Sequence, residues 1–400
     1  MQKTALKNGL KVLYQKKAGA SLAIQALINT GSMYEAPQER GIAHFLEHML
    51  FEGTTKRPTT LAITNEIERI GGEFNAYTTH ERTCFYIKVL QKHFSKAVEI
   101  LADILQHPLF LPEQIEKEKY IVLKEIALVN DDPKFEQWRL LQEELFRNHP
   151  CRFPTYGDKK VIRALSRDKL LSYFAKYYQP GNITISIVGD QLSWKEQLEK
   201  HFTAPSGKKV HQPRFSYALP KSERMKKVKR TVQNSYLVLG FPTVPRRQKD
   251  SYTLDVINGI LGRGQSGRIF TELRSKQGLA YDVGTQHGAE INFGYFALYA
   301  TIDKKNTQQV KELMQQEIEK LLLVTEQDLR EAKDFIEGDT LLELEDVQKA
   351  ADQLLFWEQV GDARLAEGYL AAIKKVTRAD VRRVVKKYLQ KGTLVVMEGK

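Results

Sequence analysis

A chain of 400 residues is long for one hydrophobic core and suits two domains of about 200 residues each. Its 42% hydrophobic and 10% aromatic content excludes wholesale disorder, and no run of residues approaches the roughly 20 apolar positions of a membrane-spanning helix. The net charge of +12 sits mostly in residues 207–230, which hold nine Lys/Arg against one Glu, and no zinc-finger, RNP or aromatic-interleaved basic pattern makes specific nucleic-acid binding its explanation.

The opening segment MQKTALKNGLKVLYQKK lacks the apolar stretch of a signal peptide and reads as a strand after an Asn8-Gly9 turn. Two cysteines, Cys84 and Cys151, give neither a disulfide framework nor metal spacing. A soluble, cytoplasmic protein is expected. Next come the strands KVLYQKK and LAIQALINT, a helix near 39–52, a second near 60–70, and alternating strands through GGEFNAYTTHERTCFYIKVL. The helices KAVEILADIL and LPEQIEKEKYIVLKEIALV follow, and RDKLLSYFAKYYQPGNITISIVGD runs from helix into buried strand.

The same order returns from SYLVLGF onward. Arg167 and Arg378 open matching terminal helices, while Glu113 and Glu326 open the helices before them. Offsets of 211 and 213 residues indicate tandem duplication. The expected architecture is α+β: two homologous domains, each a largely antiparallel sheet with helices packed on it. We assign residues 1–206 to the first domain, 207–230 to a solvated basic linker, and 231–400 to the second.

The chemistry concentrates in GIAHFLEHMLFEGT, residues 41–54. His44 and His48 are four apart, so on a helix they stand one turn apart on one face and can supply two zinc ligands. Glu47 lies beside them and can accept a proton from a water that the metal has acidified. This is the H-x-x-E-H order. A catalytic zinc needs a third protein ligand, and downstream the helix EKEKYIVLKEIALVNDD places Glu118 and Glu125 two turns apart on one face. His80 has no helical partner and is not expected to bind metal. GRGQSG at 262–267 spells a dinucleotide fingerprint, but it follows a helix rather than a strand and is read as a turn.

With these motifs the chain resembles the pitrilysin/insulinase family of inverted zincins, above all its short, two-domain, mitochondrial-processing-peptidase-like members. In that family the third ligand follows the second histidine by 77 residues, which is Glu125 here. The resemblance makes His44, His48 and Glu125 the ligands of one Zn2+ per chain, Glu47 the general base, and Glu118 a supporting carboxylate. It also makes Asn75, Ala76 and Tyr77 part of an edge strand that binds extended peptide substrate. Arg274 and Tyr281, seven apart in the second half, match residues that bind the substrate carbonyl and its oxyanion. One chain carries both the zinc motif and the Arg/Tyr pair, so a homodimer whose active site is completed by the second subunit is expected. The implied activity is a zinc metalloendopeptidase cutting unfolded peptides inside a closed chamber. The competing expectations are a non-catalytic scaffold of the same fold and a polybasic binding module acting through 207–230.

Overall fold

The computed structural model describes residues 1–399. Eleven strands run β1 Gln2–Ala5, β2 Lys11–Gln15, β3 Ser21–Ile28, β4 Glu73–Thr78, β5 Thr83–Leu90, β6 Ile183–Val188, β7 Arg224–Lys229, β8 Ser235–Pro242, β9 Ala280–Ala289, β10 Gly294–Ile302 and β11 Thr393–Glu398. They form a six-stranded sheet, β1-β2-β6-β3-β5-β4, and a five-stranded sheet, β7-β11-β8-β10-β9. Seven of the nine strand pairings are antiparallel. The two parallel ones, β2 with β6 and β7 with β11, each join the first and last strand of the repeated motif. Without β1 the two sheets have one topology, so the α+β duplication read from the sequence is the architecture of the molecule.

That topology corrects the linker assignment. The last part of 207–230 is not solvated coil: Arg224–Lys229 is the opening strand of the second sheet, paired with β11 from Thr393↔Arg224 to Glu398↔Lys229. Its charges are tolerated because it lies at a sheet edge, where one face and one backbone edge stay in water.

The helices that matter for the site are α1 Ile42–Met49, α2 Thr60–Glu68, α3 Phe94–Gln106, α4 Pro112–Asp131 and α5 Pro133–Leu145. In the first unit the apolar rows of α1, α3 and α4 pack on one face of the six-stranded sheet, with Phe45, Leu46, Val98, Leu101 and Val122 meeting Ile24, Ala26 and Phe85. β3 is buried along nearly its whole length, which explains why SLAIQALI does not alternate.

The compact units do not follow the halves of the sequence. One comprises Met1–Ala127, Phe153–Pro213 and Glu343–Ala366; the other comprises Leu128–Arg152, Arg214–Leu342 and Glu367–Lys400. Each sheet is therefore closed on its second face by a helix from the other half of the chain. Leu140, Leu141 and Leu145 of α5 pack on Val238, Val395 and Met397 of the second sheet. Reciprocally, Val347, Ala351, Leu354 and Leu355 of the helix Val347–Val360 pack on Leu13, Ala23, Leu27 and Val188 of the first.

Local signals set the helix ends. Ser166 and Thr377, at equivalent places in the repeats, accept hydrogen bonds from Lys169 N and Asp380 N and so cap their helices. The start of α1 is built differently. Gly41 has φ +97°, and a Cβ there would meet Tyr156 O at 2.7 Å. Instead of a local cap, the half-buried carboxylate of Glu35 accepts from Gly41 N at 2.7 Å and Ala43 N at 2.9 Å. Replacing Gly41 by Ala should cost the first unit about 1–3 kcal/mol. Calorimetry would show this as a lowered unfolding midpoint; an unchanged midpoint would mean that the turn yields freely.

Candidate metal centre and active site

α1 delivers His44 and His48 on one face, with ring centroids 4.8 Å apart, while its other face buries Phe45, Leu46 and Met49. α4 faces it with two carboxylates, Glu118 and Glu125, about two turns apart on one side of the helix. His44 Nε2 lies 3.7 Å from Glu125 Oε1, and His48 Nε2 lies 3.7 Å from Glu125 Oε2. Candidate ligand atoms of His44, His48 and Glu125 all fall within 4.8 Å of one another, the one such cluster among the described residues.

The second carboxylate has a different task. Glu118 is buried, and its Oε2 stands 3.2 Å from His48 Nδ1. Holding a proton on Nδ1 fixes the tautomer that leaves the Nε2 lone pair facing the other two ligands. Burial, followed by the charge of His48, pushes His44 down to about 4, so it is a neutral imidazole at neutral pH. Burial also pulls on His48, but the Glu118 hydrogen bond and the charges of Glu125 and Glu47 outweigh it and leave the pKa raised. Two neutral-capable imidazoles and one carboxylate, one imidazole already oriented by a buried acid, are a donor set that fits zinc. Buried His44 Nδ1 has no hydrogen-bond partner among the described residues.

Glu47 turns toward the edge strand. Its Oε2 accepts the hydroxyl of Thr78, the last residue of β4. Burial raises its carboxyl pKa and Glu125 adds to that, against the opposing pull of Thr78 and His48. α1 and β4 thus place His44, Glu47, His48 and Thr78 together, and α4 adds Glu118 and Glu125.

β4 is the outermost strand of its sheet, so one backbone edge is unpaired. Its side chains alternate. Phe74 and Ala76 pack toward the core on the same side as Thr78, while Tyr77 turns to the opposite face and donates its hydroxyl to Asp352 of the helix Val347–Val360. Asn75 is exposed, and its Oδ1 accepts from Ala76 N at 2.8 Å. Arg274 lies on the turn of helix Thr271–Lys276 and Tyr281 in β9; both are exposed, and both belong to the second unit. Tyr281 hydroxyl donates to Asp303 Oδ1 at 3.2 Å, and the Arg274 guanidinium lies 5.2 Å from the Phe270 ring centre.

His80 is half-buried, with Nε2 3.1 Å from Phe153 O, and takes no part in the cluster. GRGQSG forms the turn after the helix Asp250–Gly262. Sequence reasoning assigned no role to Thr78 or Glu35. Strand parity could have found Thr78, since it shares a face with Phe74 and Ala76; no local signal marks Glu35, whose bonds to α1 span six and eight residues.

The arrangement is a candidate metal site on a duplicated α+β scaffold. Comparison with known proteins supplies its family. The model for insulinase (peptidase family M16) matches residues 11–159, and the model for the peptidase M16 inactive domain matches residues 164–335. The chain belongs to this family of peptidases. The "inactive" description attaches to a segment containing none of His44, Glu47, His48 and Glu125. A Bacillus subtilis protein described as an uncharacterized zinc protease is 32% identical over 346 residues, covering 84% of this chain and 83% of that one. A Rickettsia felis protein of the same description is 34% identical over 355 residues, covering 87% and 85%. In fold, the crystal structure of a Helicobacter pylori protease superposes with TM-score 0.91 at 23% identity over 99% of both chains. A Pseudomonas fluorescens M16 inactive-domain protein superposes at 0.90 with 20% identity, over 100% of this chain and 98% of that one.

Two outcomes follow for metal binding. Glu118→Gln should weaken zinc affinity roughly 10–100-fold while Glu125→Ala abolishes tight binding, as measured by competition with a chromophoric chelator. Metal uptake requires His48 to lose its ring proton, and its metal-free pKa lies above the ordinary 6.5. Affinity should therefore be complete above that raised value and fall about tenfold per pH unit below it; a flat profile between pH 5 and 8 would place the metal elsewhere.

Proposed function

We propose that the protein is a zinc-dependent endopeptidase that cuts unfolded peptides or flexible segments, with Glu47 as its general base. The observation that carries this reading is the convergence of His44, His48 and Glu125 within 4.8 Å beside a half-buried Glu47 held by Thr78. One zinc per chain, when bound, supplies a Lewis acid that polarises the scissile carbonyl and acidifies the attacking water.

The protein's own groups do the rest. Glu47 takes the water's proton and returns it to the leaving amine, and its burial raises its basicity toward the working pH. Thr78 fixes which Glu47 oxygen is free to do so. Glu118 keeps His48 in the liganding tautomer. The unpaired edge of β4 offers main-chain groups to an extended segment, which reads extension more than sequence. Asn75 already occupies the Ala76 amide, and a substrate carbonyl is a like-for-like replacement.

Arg274 and Tyr281 carry the chemistry to hold the carbonyl oxygen as charge grows on it. In our reading the protein works as a homodimer enclosing a chamber, in which Arg274 of the partner subunit and Tyr281 of the partner subunit complete the site. We place the protein in the cytoplasm, a reading supported by two buried cysteines that are not joined in a disulfide. Among the described residues no helix is long and apolar enough to cross a membrane.

Glu47→Gln should retain zinc and lose about 10²–10⁴-fold in cleavage of a library of unstructured peptides. Wild-type protein that holds zinc and cuts nothing would defeat the peptidase reading. Thr78→Val should lower kcat about tenfold with zinc content unchanged. Mixing Glu47→Gln with Arg274→Ala chains should restore one working site per mixed dimer; activity no higher than the two parents would oppose the shared arrangement.

A further inference from the structure

The second sheet has an open edge where the first is covered. In the first repeat, β2 is flanked outward by β1, with Ala5↔Lys11 through Gln2↔Tyr14 in register. Its counterpart β7 is the terminal strand of its sheet. Arg224 N donates to Gly392 O at 3.0 Å and Arg230 N to Glu398 O at 2.9 Å, so residues of that parity face β11. The N–H and C=O groups of Met225, Lys227 and Lys229 then point outward. None of those three amides has an acceptor among the described residues.

The edge is strongly cationic. Residues 221–230 hold six Lys/Arg and only Glu223. Carboxylates within the protein meet part of this charge: Glu398 lies 2.6 Å from Lys227, Glu136 2.8 Å from Arg230, and Glu144 3.7 Å from Lys226. Lys229 and Lys221 have no such partner among the described residues. Beside the strand, Met225 is 58% exposed at a cavity of about 310 Å³ floored by Leu239, Phe241, Ile318 and Leu394, with Lys311 among its lining residues.

We propose that β7 is a docking edge for an extended acidic peptide segment of another protein, which adds to the second sheet in the place β1 takes in the first. Outward amides and carbonyls supply the ladder, and alternate side chains reach the lysines and the apolar cavity. The lysines that blunt this edge against neutral strands select an acidic one. A second copy of β7 is excluded as the occupant because pairing would set Lys against Lys. A polyanion such as nucleic acid would use the charge alone and leave the free amides and the cavity without a role.

The test uses full-length Glu47→Gln protein, so that the probe is not cut, and a fluorescein-labelled peptide of alternating Glu and Val followed by anisotropy. The unmodified peptide should bind at least tenfold more tightly than the same peptide N-methylated at alternate amides, and than a Lys/Val peptide. Met225→Pro keeps every charge and removes one outward donor without touching the ladder to β11; it should weaken binding at least tenfold, while Met225→Thr retains it. Equal binding of the N-methylated peptide to the Glu47→Gln protein, a comparison that needs no further variant to fold, overturns the proposal. So does binding that Met225→Pro leaves intact, which would belong to another surface. Displacement by inorganic polyphosphate with no effect of N-methylation would reduce the edge to a patch of charge.

Discussion

His48 is held from two sides at once, and the site depends on that. Its Nδ1 stands against Glu118 on α4 while its Nε2 faces Glu125 one helical span further along the same helix. Seven residues on an α-helix rise about 10.5 Å over nearly two full turns, so the two carboxylates share one face and can bracket α1. Glu118 sits in the buried row with Ile115, Val122 and Ile126, and Glu125 beside that row reaches more open ground. A buried carboxylate without a partner is costly, and His48 is the partner that offsets the cost. The same contact that makes Glu118 tolerable in the core therefore fixes the ring of a candidate metal ligand.

This coupling explains why the centre was legible in the sequence. His44, Glu47 and His48 are set by the period of one helix, and Glu118 and Glu125 share a face by the period of another, while the resemblance to the insulinase family assigned the last two their tasks. The edge position of β4 was an implication of the resemblance, and the strand order bears it out. Thr78 was harder, because its role depends on which face of the strand turns toward α1. Glu35 was out of reach: it replaces a local cap at a glycine with φ +97°, and the bond is made only once the loop has folded back.

The exchange of helices between the halves was illegible for a related reason. The apolar row of α5 reads the same whichever sheet it covers, and nothing in PKFEQWRLLQEEL says that its leucines meet Val238 and Val395 rather than β3. Periodicity fixes which face is buried but leaves the partner open. The basic run misled in the opposite direction. Composition made Arg224–Lys229 look like solvent-exposed coil, whereas the sheet needs only Val228 on one face of that strand and water on its edge accepts the rest.

The second repeat shows what the scaffold does without a metal. There too a helix, Asp250–Gly262, packs against an edge strand, β9, and there too polar side chains meet across the contact. His287 Nδ1 stands 2.7 Å from Asp255 Oδ1, and Arg246 forks onto the same carboxylate. Burial would raise the Asp255 carboxyl, but Arg246 and His287 outweigh it and hold it well below the ordinary range. A guanidinium on the chain itself supplies the cation that neutralises this interior. In the first repeat two imidazoles face two carboxylates, and the cation in reach is the largely exposed Lys117, whose Nζ lies 4.0 Å from Glu118 Oε1 and 3.1 Å from Glu52 Oε2. Two imidazoles and a carboxylate so close together are a donor set that fits a metal ion, whereas Arg246 already satisfies Asp255 in the second repeat, so the duplicated contact is a structural one there.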